Sequence, residues 1–469
     1  MKKIFFAIIG AVSLVSCSSD LDQHPLTDKE SGKFLTTETE VEEYVAATYA
    51  SLQANGLYGL YLPAMGEVPS DNTYEEVPAN DGAIYGDLEE FKTVPTNGMI
   101  ADNWKASYVT IQRCNVVLNR IAGVAYKADA VKNSRIGEMK FIRALIYFNM
   151  VQFYGDVPLT TDETKDPNVY FGKGRQPAAD VYKQIIQDLT DAIPILPAST
   201  TQPGRVIKTA AQALLGKVYL TQKDYTNAKI QIDAVVNSGA HALFNDPTTL
   251  FDLANENVSE FIFSVQFGSG INSNTEGSIM VQQFSPSGVI SGAKGHSLPT
   301  KELYSKYIVG DKRKDNYVKL SSAGTPYNNK LKKPVAPTPP ADGGSNTVVL
   351  RYADVLLMQA EIENELGNTL TTAKPALDKV RNRAGLAPAT ALTQADLRDA
   401  IELERRLELI GEGYRWLDLL RTGKAISTMN AWFISQNKPT TVTSQFLLMP
   451  IPQNQRDADP TITQNKDYQ

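Results

Sequence analysis

The chain has 469 residues, of which 42% are hydrophobic and 21% charged. It therefore has the material for a real core, and the length for one large domain or two to three ordinary ones. Its 52 acidic residues outnumber 46 basic ones, a formal charge of −6 that argues against nucleic acid as a partner, since such binding demands a basic face.

Residues 1–16 read as a secretory signal: Lys2 and Lys3 supply the charged start, and the apolar run 4–15 is too short to span a bilayer as a stable helix. Leu14-Val15-Ser16-Cys17 has the form of a bacterial lipobox, in which the thiol of Cys17 is acylated. More than one acyl chain there would anchor the protein firmly, at about 0.8 kcal/mol per buried CH₂. Without Lys2 and Lys3 the mature chain keeps 44 basic against 52 acidic residues, or −8. Residues 17–25 form a polar, lipidated tether with Asp20 and Asp22. With Cys17 acylated, Cys114 has no disulfide partner; it shares a helical face with Ile111, Leu118 and Ile121, the setting of a core thiol.

Helical spacing predicts a helix over 38–54, with Val41, Tyr44, Val45 and Tyr49 on one side. Residues 56–97 lose that period. They form a long loop rich in Gly, Pro, Asp and Asn, with Tyr58, Tyr61, Tyr74 and Tyr85, and loops of this length are often functional. Helices are predicted over 102–122, with Trp104 and Ile111 inward, and over 134–154, where Phe141 to Phe153 is apolar nearly all round and so belongs inside a bundle. A further helix covers 177–195. Residues 208–238 and 350–380 each read as a helix pair approximating the tetratricopeptide pattern, with Ala213, Gly216 and Ala228 permitting close approach. Alternation over 261–267 predicts a strand, while 268–297 and 321–346 read as long inserted loops.

Thr393 before Asp396 resembles a capping box, so a helix should begin there and carry Leu397, Ile401, Leu407 and Ile410 on one face. Glu402 has the spacing for ion pairs with Arg405 and Arg406. Gly411 and Gly413 break the helix, a second short one follows over 414–421, and Gly423 ends it. Arg405, Arg406, Glu408, Glu412, Arg415 and Asp418 read as a charged helix-turn-helix held by pairs of a few tenths of a kcal/mol, roughly. Arg415 and Asp418 alternatively lie buried and paired, drawn in by Trp416 and Leu417.

Five blocks, 143–159, 350–357, 380–385, 404–423 and 449–468, resemble the SusD/RagB family of outer-membrane nutrient-binding lipoproteins. The tail departs from the family's closing motif at Asp459, Lys466 and Asp467, which bears only on its local turn. The resemblance implies a mainly α fold: tetratricopeptide-like helix pairs in a single large SusD-like domain, residues 26–469, with long irregular loops and a few short strands. It also implies an outward-facing, lipid-anchored protein of the outer membrane, sitting as a lid on a TonB-dependent (SusC-like) β-barrel transporter and delivering oligosaccharide to it. A peptide-importing lid is the alternative.

The shared blocks are scaffold, so ligand contacts should fall on the loops. Sugars are held by aromatic platforms with Asp, Asn and Gln beside them. Asp71, Asn72, Tyr74 and Tyr85 from loop 56–97, and Asn274, Phe284 and His296 from loop 268–297, are the candidates. Trp104 and Trp416 fall in scaffold, so no Trp-lined platform is evident and a peptide ligand stays open. No H-E-x-x-H, G-x-S-x-G, Walker A or Cys pair supports an enzyme, and no EF-hand, metal site or cofactor motif is present. Ser70-Asp71-Asn72 and 435–438 match serine β-lactamase motifs in the wrong order, by chance. A scaffold that binds protein alone predicts a tight barrel complex and no small ligand.

Overall fold

Helix α1, Glu38–Ser51, begins at a full capping box: Thr37 Oγ1 accepts from Glu40 N–H while the Glu40 carboxylate accepts from Thr37 N–H. The computed structural model describes residues 34–335 and 338–468; the signal, Cys17 and the whole tether 17–25 lie outside them. Helix α2 is Tyr61–Glu67, α3 Gly98–Arg120, α4 Asp129–Tyr154, α5 Ala178–Ala192, α6 Lys208–Thr221 and α7 Tyr225–Asn237. After these come α8 Lys301–Lys306, α9 Tyr352–Glu365, α10 Lys374–Arg383, α11 Gln394–Glu408, α12 Arg415–Thr422, α13 Ala425–Ser435 and α14 Gln453–Ala458. Loop 56–97 is thus less irregular than its composition predicts: it holds α2 and a further turn of helix, Gly86–Glu89.

Neighbouring helices pack in succession: α1 on α3, α3 on α4, α4 on α5, α5 on α6, α6 on α7, α7 on α9, and α9 on α10 and α11. Both predicted helix pairs are present. The α6–α7 turn places Lys223 at φ 60°, and Asp224 caps α7 by accepting from Asn227 N–H. Helix α3 starts four residues earlier than its apolar spacing predicts, because Asn97 is the cap and accepts from Met99 N–H at 2.9 Å. Buried Trp104 meets Tyr154 edge to face, and Cys114 is fully buried below.

Burial pushes the Cys114 thiol up to about 12. Iodoacetamide at pH 8 should therefore leave the native chain unlabelled for hours and label it within minutes in denaturant. Comparable rates in both states would contradict a core thiol.

Among the described residues six strands form three antiparallel pairs: β1 Thr73–Tyr74 with β3 Leu298–Pro299, β2 Phe261–Val265 with β6 Thr347–Arg351, and β4 Val318–Leu320 with β5 Pro326–Asn328. Strand β6 corrects the expectation of helix from residue 350. Thr347, Val348 and Val349 favour extended backbone, and the helix begins only at Tyr352. Strand β2 alternates in sequence yet is buried from Ile262 to Val265, because it lies on α6 with Phe263 against Phe141 of α4. Among the described residues no helix is long and apolar enough to cross a membrane.

Candidate functional site

The turn between α11 and α12 is glycine by necessity. Gly411 and Gly413 take φ of 74° and 79°, and a Cβ on Gly66 of α2 would lie 1.9 Å from the Gly413 carbonyl oxygen. Backbone therefore meets backbone, and the charged side chains around this turn are drawn inside.

Glu408, fully buried, accepts from Arg351 at 2.7 Å, Arg313 at 2.9 Å and Arg383 at 2.5 Å. Arg351 also pairs with Glu412 and Glu260, and Arg313 with Asp311 and Glu404. Arg405 bridges Asp418 and Asp354, and Asp354 also faces the enclosed ammonium of half-buried Lys217 at 2.8 Å. Arg421 joins Asp418 to Glu361. This corrects the surface reading: the network is interior, where each charge needs its partner far more than it would in water. Arg415 and Asp418 are indeed deeply placed, though each pairs elsewhere. Glu402 turns from Arg405 and Arg406 to Arg415 and Lys424, because α11 buries its arginines against the neighbouring helices. Every one of these charges is engaged by protein, which suits holding a scaffold.

Two arginines carry that scaffold out to the loops. Arg415 donates to both Asp71 carboxylate oxygens at 2.7 and 3.0 Å; Arg406 donates to Asn72 Oδ1 at 2.6 Å and to the Asp71 carbonyl at 2.8 Å. Burial alone would raise the Asp71 carboxyl, but Arg415, with Arg406 beside it, outweighs burial and holds it below the usual range. Asn72 also donates to Glu67, whose carboxyl burial pushes up to about 7. Directly after Asn72, β1 pairs with β3, opposing Thr73 to Pro299 and Tyr74 to Leu298, so the two candidate loops share one small sheet.

Of the seven candidate residues, Asp71, Asn72, Tyr85, Phe284 and His296 have buried side chains. Asp71 and Asn72 answer arginines. Tyr85 stacks on His296 with centroids 3.8 Å apart and planes 12° off parallel. Tyr74 is half-buried, one residue before Glu75, and Asn274 is exposed on turn 271–275, where Asn272, Ser273 and Asn274 take φ of 48°, 60° and 66°. Three successive left-handed residues without glycine store strain, a feature that gathers at ligand-holding segments. Glu75 and Asp81, which meet the two ring nitrogens of His296, and Glu89, which accepts from Glu75 N–H, were missed. Their signal was an acid-rich stretch opposite a lone His. Trp104 and Trp416 are buried and Trp432 packs half-buried on the core. In the tail, Asn465 donates to the Tyr154 and Met449 carbonyls, and Asp459 accepts from Gly172 N–H, so the departures from the family motif leave it anchored.

An array of helix pairs that holds two joined loops on an ion-paired interior defines a binding scaffold. The model of the SusD family matches residues 304–468, and that of a family described as starch-binding associating with outer membrane matches residues 21–220. A SusD-like protein of Formosa agariphila is 25% identical over 99% of this chain and 98% of its own. One from Bacteroides ovatus is 25% identical over 89% of this chain and 82% of its own. A laminarin-binding SusD-like protein of known structure is 28% identical, with a TM-score of 0.80 over 92% of this chain and 100% of its own. A SusD superfamily protein from Parabacteroides distasonis is 28% identical, with a TM-score of 0.77 over 91% of this chain and 99% of its own. The chain belongs to the SusD/RagB family, whose glycan-binding members are non-catalytic.

Proposed function

We propose that this protein is a cell-surface lipoprotein, anchored to the outer membrane through acylated Cys17 after removal of residues 1–16, that binds oligosaccharide and hands it to a TonB-dependent β-barrel. The observation that carries the ligand class is the likeness, over nearly the whole of both chains, to the laminarin-binding SusD-like structure. In this reading Tyr74 and Asn274 stand at the ligand surface, while Asp71, Asn72, Tyr85, Phe284 and His296 act from behind it. Tyr74 supplies a ring face with Glu76 nearby, and the exposed amides of Asn272 and Asn274 offer donors and acceptors to sugar hydroxyls.

Isothermal titration of residues 18–469 with laminarin oligosaccharides should give measurable heat. Tyr74→Ala should weaken binding about ten-fold, in line with about 1–1.5 kcal/mol for an aromatic contact, and should leave the melting temperature unchanged. Heat with mixed peptides alone would sink the glycan reading and favour the peptide alternative. Both the glycan and the delivery readings expect the barrel to co-purify with the lipoprotein from outer membranes.

A further inference from the structure

His296 is wholly buried, yet both its ring nitrogens meet acids. Nδ1 lies 2.7 Å from Glu75 Oε2, and Nε2 lies 2.9 Å from Asp81 Oδ2. An ionised carboxylate only accepts hydrogen bonds, so two of them flanking one ring call for a donor at each nitrogen. Glu75 N–H donates to Glu89, Glu89 pairs with Lys438, and Asp81 pairs with Lys294 at 3.0 Å. Glu75, Glu76, Asp81 and Glu89 thus face Lys294, Lys438 and the ring. Tyr85 covers one face of the imidazole, with Tyr61 edge-on behind it, and Glu76 accepts from Ser287 on the outer side.

The same contacts tie the two loops together. Glu76 N–H donates to the Gly295 carbonyl across the two loops, while His296 N–H donates to the Gln283 carbonyl within its own loop. Asp81 is held below the usual carboxylate range first by its bond to His296 and then by Lys294. Burial raises Glu75, and the bond to His296 opposes that rise.

We infer that His296 is a positioning residue: a buried imidazolium that bolts segment 283–299 onto segment 73–89 and so presets the face on which the glycan is held. This role rests on the glycan-binding reading above. The ring never touches the ligand; it acts by fixing Tyr74 and the loop that follows Gln283.

The test uses the full mature chain with ¹⁵N-labelled histidine. Long-range ¹H–¹⁵N spectra at pH 7.5 should show both ring nitrogens of His296 protonated, assigned by the signal lost in His296→Gln. A neutral ring with one bare nitrogen would overturn the charged bolt in favour of a protonated Glu75.

Asp81→Asn provides a variant that keeps the fold, because Asp81 sits at φ 50°, where asparagine is equally at home. In both variants the backbone amides at positions 76 and 296 should exchange with solvent at least ten-fold faster, while those of α4 keep their rates. Unchanged exchange would overturn the inference. Laminarin affinity should fall at least five-fold in Asp81→Asn. Wild-type binding retained in full by a variant with loosened loops would overturn the positioning role. Silence of the wild type towards glycans would overturn the glycan reading and the presetting role together. A doubly protonated ring would still leave the bolt itself standing.

Discussion

Replacing Glu408 with Ala should lower unfolding stability by about 3–5 kcal/mol, the range expected when one partner of a buried ion pair is removed. The reason lies in what is left behind. Arg313, Arg351 and Arg383 all converge on this one fully buried carboxylate. Arg351 would keep Glu260 and Glu412, and Arg313 would keep Asp311 and Glu404, so the loss should be severe without abolishing folding. The pH dependence has a definite sign. Burial would raise the Glu408 carboxyl, but Arg383, Arg351 and Arg313 together outweigh it and hold the folded value far below the unfolded one, about 4.3. A depressed folded value gives stability that is present above the unfolded value and lost as pH falls through the folded one. Urea midpoints should therefore separate wild type from Glu408→Ala widely at pH 7 and progressively less below about pH 4. A constant separation down to pH 2 would show that the carboxylate's charge is not what matters.

The helical frame was legible because its period is strong. The apolar run of α4, the paired helices α6–α7 and α9–α10, and the Gly411-Gly413-Gly423 punctuation each state a local rule that tertiary packing then obeys. Three things were not legible. Strand β6 runs into α9 without a break, and only its partner β2, more than eighty residues earlier, makes it a strand. The charged C-terminal block looks solvated from sequence, since charges at helical spacing say nothing about whether the opposite partners come from distant segments such as Glu260 or Asp71. The loop candidates were chosen by residue type, and type does not distinguish a side chain that faces ligand from one that answers a buried arginine. Asp71, Asn72 and His296 show the point: each is polar, in a loop, and used inward.

That distinction makes Asp71→Ala the sharpest test of how scaffold and ligand face are joined. Asp71 takes both donors of Arg415 and lies 3.3 Å from Arg406. Its removal leaves Arg415 with Glu402 and Arg406 with Glu302, each partly exposed, so the expected cost is about 3 kcal/mol, the low end for a broken buried pair. The damage should also travel. Asn72 and Thr73 follow at once into the β1–β3 pair, so amide exchange of Tyr74 and Leu298 should quicken along with the global loss. Glycan affinity should then fall because the face is no longer held, and it should fall in step with stability across Asp71→Ala, Asp71→Asn and Arg415→Ala. Tyr74→Ala should behave in the opposite way, losing affinity at full stability. An Asp71→Asn protein that keeps its urea midpoint and loses only its glycan would place that carboxylate on the ligand. The arginine pairing would then be a resting contact that the sugar displaces.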